Sequence, residues 1–498
     1  MTTYTAITIG PIYRTIMKAR STKAFWTASY MFSWIMKRLV EELSKKNISI
    51  ISPYADTSKT IKKVGLYPDR LFAVGKVDNI KDIISKIKDE LVKKFKEFLK
   101  IPDTEWEKHE IEKFLSSYIK VSSIIIDSDK EKGLLLELNK YLDTQELNQV
   151  AVSFSSNDYL TKFLESKNNP FIVGDFGEGK RAFESISEIA VSGYLSDEEV
   201  RSYLNETQEV NYPKLSAERE RKDFLNCYKY MAIVKADGDN FGKYISKLDT
   251  VKEMQSFSKH FFDFSKEAAK KLFTMNAKPI YIGGDDLFFF APVRMPLLEK
   301  DIFDLIETVE QSFHGFREKL GENSLSMSYG VSILYYKSPM SEAMEVADAM
   351  LRKAKDGENK DRVAVSIQKH SGQKIEFLLP CKHTVSAASG QQTLYNAARD
   401  LMKRTVSNPS MIKGLIYWID EMYEPIISKV AGDAERLKAV FENFFDEDVH
   451  KDNRFLDDVR AFIVLMHSSG EVSDVKVQKE LLHGILRYCQ FVNAKDEK

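Results

Sequence analysis

The sequence predicts an α+β chain in which a ferredoxin-like unit occurs twice, with a helical insert between the copies and a helical bundle behind them. Three observations lead there. Over residues 1–127 apolar runs follow the order strand, helix, strand, strand, helix, strand. From 228 the order strand, helix, strand, strand recurs, as an internal duplication would require. Within that second copy two apolar runs, MAIVKADGDNFGK and PIYIGGDDLFFFAP, each break off in aspartates.

The first unit opens with YTAITIG (4–10), an alternating strand closed by Gly10-Pro11. Trp26, Tyr30, Trp34, Leu39 and Leu43 then recur at helical spacing across Ser21–Leu43, with Ser21-Thr22 as caps. Strands are expected at 48–52 and 66–75, a Lys-rich amphipathic helix over 78–99, a helix over 104–117 and a strand at 120–126. Residues 128–222 form a mainly helical linking domain, with 205–220 polar enough for a linker. GDFGEGK (174–180) lacks the full GxxxxGK[ST] spacing and is read as a connecting loop.

The second unit, 223–374, comprises a strand at 228–236, a helix at 250–275 and a hairpin at 279–291 turned by Gly283-Gly284. A helix at 298–320, a strand pair in SLSMSYGVSILYY, a helix at 340–355 and a strand at 362–368 complete it. The remainder, 375–498, starts with the turn-rich CKHTVSAASGQQ and continues as amphipathic helices.

Composition narrows the function. The 498 residues carry 73 basic and 74 acidic side chains, a net charge of -1, which argues against a protein that coats nucleic acid by bulk charge. Cys227, Cys381 and Cys489 are far apart and form no CxxC, so neither a disulfide framework nor a zinc ribbon is indicated. The eight histidines form no HExxH. The opening lacks signal-peptide order, and no apolar run reaches ~18 residues, so a cytoplasmic protein without membrane contact is expected.

What remains is the acidic pair of strand ends. Asp237 and Asp239 close one strand and Asp285 and Asp286 sit at a hairpin tip; a helix over Met254–Met275 lets both tips meet at one sheet edge. Clustered carboxylates are hard oxygen ligands suited to a pair of Mg²⁺ or Mn²⁺ ions that also hold phosphates. A solvated acidic hairpin is the bland alternative, and the pairing of GGDD with DGDN weighs against it. Asp237, Asp285 and Asp286 are the candidate catalytic and metal residues, with the Gly238 carbonyl beside them. Because successive strand residues point to opposite faces, one of Asp285 and Asp286 should ligate well, and Asp285 is preferred. Small residues after Asp237 let backbone N–H groups approach phosphates at a helix start, so Asp239, Asn240, Phe241, Gly242 and Lys243 form the candidate nucleotide cradle, with Gly283 and Gly284 opposite.

These motifs resemble the palm domain of GGDEF cyclases and family-B-like polymerases. The chain looks closest to the large palm subunit of type III CRISPR effector complexes, of Cmr type. VKADGDNFGK, IYIGGDDLFFF, SYGVSILYYKSP and ADAMLRKAKDGENKDRVAV carry the likeness in the second unit, IGPIYRTIMKARSTKAFWTASYMFSWI in the first, and FESISEIA at 183–190 between them. The sequence departs from the pattern in lacking the cysteines common between the two palms and in reading Pro-Asp-Arg at 68–70 where relatives commonly have Pro-Asn-Arg. A palm-like strand at Tyr4 also leaves HD nuclease chemistry unexpected.

The resemblance implies AMP transfer from ATP, with release of pyrophosphate, to build a signalling oligoadenylate. It also implies work inside a ribonucleoprotein with guide RNA and target RNA, held largely through other subunits. Lys355 becomes a candidate to neutralise the β- and γ-phosphates, and Ser328 to touch an adenine edge. The first palm would hold the acceptor, with Asp69 and Arg70 facing that pocket; an aspartate there suits a cationic acceptor such as S-adenosylmethionine. The rivals are a diguanylate cyclase, disfavoured by Glu358 after Gly357 and by GGDD in place of GG[DE]EF, and a non-catalytic guide-RNA scaffold.

Overall fold

A computed structural model describes residues 1–56, 63–99, 105–147, 158–166, 169–172, 183–218, 224–357, 360–381, 392–406, 409–445 and 453–495. Both expected sheets are present. The first runs Ser49–Ser52, Arg70–Val74, Thr2–Gly10, Lys120–Ser128, every neighbour antiparallel. Thr22–Lys45 is its main covering helix. Ser21 Oγ accepts the Ala24 N–H at the helix start, and the apolar stripe buries Phe25, Trp26, Met31, Phe32 and Leu39.

The second sheet runs Lys374–Pro380, Arg362–Gln368, Ser326–Tyr335, Tyr230–Asp239, Asp286–Pro292, Lys278–Gly283. Its last four strands repeat the first sheet's order, which is the duplication. On one face Val251–Thr274 and Ile302–Leu320 interlock through Phe261, Phe264, Phe313 and Phe316, with ring centroids 5.1 Å apart for Phe261 and Phe316. Tyr329 reaches Glu310 on that face; the next residue, Gly330, faces the Met340–Lys355 helix on the other.

Gly330 overturns one expectation. SLSMSYGVSILYY holds a single strand, Ser326–Tyr335, paired without interruption to Tyr230–Asp239. The glycine marks close packing and no turn: a Cβ there would lie 2.3 Å from Leu351 N and 2.5 Å from Ala347 O. Three further boundaries move. The helix expected from 298 begins at Ile302, because Asp301 accepts the Phe303 and Asp304 N–H groups as its cap. Lys374–Pro380 pairs with Arg362–Gln368, so the second sheet extends past 374. The supposed linker holds a helix, Tyr212–Glu218, with Tyr212 buried and its hydroxyl donating to the Tyr228 and Ser187 carbonyls.

GDFGEGK, Glu358 and most of CKHTVSAASGQQ lie outside the described residues. Beyond the second sheet the described residues are helical, and Val475–Asn493 packs on its edge strand, with Gly484 against Phe377. Among the described residues no helix is long and apolar enough to cross a membrane.

Candidate active site

The site forms where the Tyr230–Asp239 strand and the Gly283–Asp286 turn end together. Gly284 has φ +65, the left-handed region that glycine adopts at no steric cost, and Gly283 is crowded by Leu66 O, 2.9 Å from where a Cβ would stand. Gly238 N donates to Asp285 O at 3.0 Å, tying the two acidic ends together. Past the strand Asn240 turns the chain at φ 64, donates its side-chain amide to Ser324 O at 3.1 Å, and starts the short helix Phe241–Ile245. The Phe241 ring is buried among Phe257, Phe261 and Phe316, so it anchors the turn; Gly242 and Lys243 are exposed beside it.

Asp237 stands directly opposite Asp286 in the antiparallel pairing, so both side chains leave the same face of the sheet. Like charges placed opposite one another cost stability, and burial together with this repulsion shifts both carboxyls toward their protonated forms. Asp286 touches water in the cleft, yet protein surrounds it closely enough that desolvation, then Asp285, Asp237 and Asp69, push it up to about 8. Asp237 is raised chiefly by burial and by Asp285, against the pull of Lys355. Lys355 Nζ lies 2.6 Å from Asp237 Oδ1, donates to the Gly238 carbonyl at 2.9 Å and sits 3.7 Å from Asp239 Oδ1.

Asp239 is fully buried. Its Oδ2 accepts from Ser326 Oγ at 3.0 Å, Ser328 Oγ at 2.8 Å and Asp361 N at 3.2 Å, whereas Oδ1 has no hydrogen-bond partner. Ser328, also fully buried, spends its hydroxyl on Asp239 and accepts the Asp361 N–H, which leaves no atom for an adenine edge. Ser328 acts as floor and not as wall, whereas Asp239 keeps Oδ1 turned toward Lys355.

Two cavities meet at the turn. The larger, about 670 Å³, is lined from the first unit by residues such as Arg14, Asp69 and Lys120, from the linking helices by Glu146, and from the second unit by Asp286 and the paired Lys235 and Asp348. The smaller, about 450 Å³, brings together Asp69, Arg70, Phe241, Gly242, Gly284 and Asp285 over an apolar wall that includes Met254 and Phe257. Asp285 and Asp286 therefore diverge, one into each cavity, and Asp69 borders both.

Asp69 and Arg70 do reach the junction, with an internal relationship the sequence did not disclose. Burial raises the Asp69 carboxyl, against the pull of Arg70. Arg70 is held by the helix Leu134–Leu147: it donates to Asn139 Oδ1 at 2.8 Å and Asp143 Oδ1 at 2.6 Å, and lies 3.2 Å from Glu146 Oε1. Sequence reasoning also missed Lys235, Asp348, Glu146 and Asp361, whose roles depend on tertiary approach; the DGEN segment before Arg362 was the nearest signal. Among the described residues no three His, Cys, Asp or Glu side chains cluster at metal-ligating spacing; the oxygens that converge are two carboxylates and one carbonyl around an ammonium.

One family model, Cas10/Cmr2, second palm domain, matches residues 230–364, and a second, CRISPR-associated protein Cmr2, N-terminal, matches 4–100. Over these two stretches the chain is similar to the Cas10/Cmr2 family. Its sequence is 27% identical over 207 residues to the CRISPR system Cmr subunit Cmr2 of Pyrococcus furiosus, a match covering 34% of this chain but only 22% of that protein. Among solved structures, a chain of the type III-B Cmr-beta assembly in its apo state aligns with TM-score 0.56 at 12% identity, over 92% of this chain and 77% of that one. A Csm1–Csm4 cassette solved in complex with pppApA aligns with TM-score 0.51 at 14% identity, over 99% of this chain and 69% of that one. The fold shared with these two structures thus spans most of the chain.

Proposed function

We propose that this chain is a metal-dependent nucleotidyltransferase that makes an adenylate second messenger from ATP within a type III CRISPR ribonucleoprotein when target RNA is bound. One observation carries the reading: Asp237 faces Asp286 across adjacent strands, with Asp285 in the joining turn, where two cavities of nucleotide scale meet. Opposed carboxylates that cannot all ionise are poorly suited to stability and well suited to divalent cations.

The donor ATP occupies the smaller cavity, its phosphates at the Gly242 end of the Phe241–Ile245 segment and beside Gly284. Asp237 and Asp285 would hold a metal ion there, with Asp286, paired opposite Asp237 and bordering the other cavity, within reach. Bound Mg²⁺ or Mn²⁺ would neutralise the phosphates and favour loss of pyrophosphate. The acceptor sits in the larger cavity. Its nucleophilic oxygen bonds to the α-phosphorus, the bond from that phosphorus to the β-bridging oxygen breaks, pyrophosphate departs, and the acceptor's proton is released. A 3′ hydroxyl of a second adenylate gives an oligoadenylate; Asp69 borders both cavities, where a cationic acceptor such as S-adenosylmethionine would favour its ionised form. The Csm1–Csm4 relative solved with pppApA supports an adenylate product. Guide RNA and target RNA are held largely through neighbouring subunits, consistent with the near-zero net charge.

The test is the assembled complex with target RNA, incubated with α-labelled ATP or GTP, with and without S-adenosylmethionine, and its products separated. Labelled adenylate product with ATP supports the reading. A GTP-only product would favour the cyclase rival, and no product from either nucleotide the scaffold.

A further inference from the structure

Lys355 does more in this site than await a phosphate. Its ammonium is ringed by Asp237 Oδ1 at 2.6 Å, the Gly238 carbonyl at 2.9 Å and Asp239 Oδ1 at 3.7 Å. The last of these is a fully buried carboxylate oxygen without a hydrogen bond, although its twin Oδ2 receives three. Burying such an atom is costly unless a cation serves it, and hard oxygens converging on one point are a divalent-ion cradle in all but occupant. The backbone that carries Lys355 is pinned. Arg362 donates to the carbonyls of Ala354 and Asp356 at the end of the Met340–Lys355 helix, and the Asp361 N–H holds Asp239. The lysine can leave by side-chain rotation, with the helix staying in place.

We propose that the Lys355 ammonium is the resident cation of an oxygen cradle formed by Asp237, Gly238 and Asp239, and that a divalent ion enters by displacing it. Metal affinity is then set by a competition between this lysine and the ion. The displaced ammonium is released to the triphosphate that arrives with the metal, so loading by metal alone is suppressed. The inference rests on the metal-dependent reading above and adds to it Asp239 as a cradle oxygen and Lys355 as the competitor.

The experiment uses nucleotide-free full-length protein and Mn²⁺ followed by electron paramagnetic resonance. Lys355→Met, which keeps the stem and removes the charge, is expected to bind Mn²⁺ about tenfold tighter than wild type at the site abolished by Asp237→Asn. In wild-type protein, labelling of the Lys355 amine by an acylating reagent is expected to rise on adding Mg²⁺; this second measurement is independent of any variant's folding. Equal Mn²⁺ affinity with and without the lysine, or labelling indifferent to Mg²⁺, overturns the exchange and leaves AMP transfer untouched. Absence of any Asp237-dependent Mn²⁺ site overturns the exchange together with the metal-dependent reading.

Discussion

The two ferredoxin-like units correspond strand for strand through their registers. In the second, Asp237 pairs with Asp286 and Gly238 N donates to Asp285 O at 3.0 Å; in the first, Thr8 pairs with Arg70 and Ile9 N donates to Asp69 O at 3.0 Å. Thr8 thus stands for Asp237, Asp69 for Asp285 and Arg70 for Asp286. The first copy keeps one acid of the three and places a cation beside it. Its charges are internally settled: Thr8 Oγ1 donates to Glu146 at 2.6 Å, and Arg70 is held by Asn139, Asp143 and Glu146. The second copy leaves Asp237, Asp285 and Asp286 crowded with Lys355 as the close cation. The duplication therefore separates a neutralised half from a half that asks for cations.

The largest effect should come from that asymmetry. Asp237→Asn is expected to lower labelled-ATP turnover by at least about a hundredfold, while Thr8→Val at the matched position changes it only mildly. Comparable losses at both positions would mean that the halves are chemically equivalent.

A second contrast concerns glycine. Gly330→Ala drives a methyl into the backbone of the Met340–Lys355 helix and should cost ~2–3 kcal/mol in urea denaturation. Gly315→Ala, with nothing within 4 Å and a helical setting, should stabilise by about 0.5–1 kcal/mol.

The smallest effect is the most diagnostic of charge. The Asp286 carboxyl rises from 3.8 unfolded to about 8 folded, so the native state binds this proton more tightly. Its contribution is fully present below pH 3.8 and is lost as pH climbs through 8. Asp286→Asn should therefore raise Tm by a few degrees near pH 8 and leave it nearly unchanged near pH 4, when melting is followed without metal. A gain that does not depend on pH would assign the effect to packing.

Periodicity and turn chemistry made most of this fold legible. The strand order of both units, the capped helix behind Ser21 and the Gly283-Gly284 hairpin follow from local pattern, because apolar alternation and glycine placement are local causes. Gly330 misled for a related reason: a glycine in an apolar run reads equally as a turn or as a helix contact, and only the approach of Ala347 and Leu351 decides. Lys374–Pro380 carried a period of two, burying Ile375, Phe377 and Leu379, but its brevity at the head of a turn-rich stretch hid it. At the site the acidic motifs announced themselves, as charged residues at strand ends do. Ser328 read as a ligand contact and is buried against Asp239 instead, in a hydrogen bond that spans 89 residues of sequence and that no local signal reports. Arg70 likewise depends on a helix some seventy residues away.

The central claim, a donor nucleotide on the acidic half facing an acceptor on the neutralised half, is tested most directly by a structure with a non-hydrolysable ATP analogue and Mn²⁺. The account predicts anomalous manganese density against Asp237 and Asp285, the triphosphate at Gly242 in the smaller cavity, and Lys355 swung from the Gly238 carbonyl toward the phosphates. A triphosphate bound elsewhere, with Lys355 still seated between Asp237 and Gly238 and no metal beside the aspartates, would contradict it.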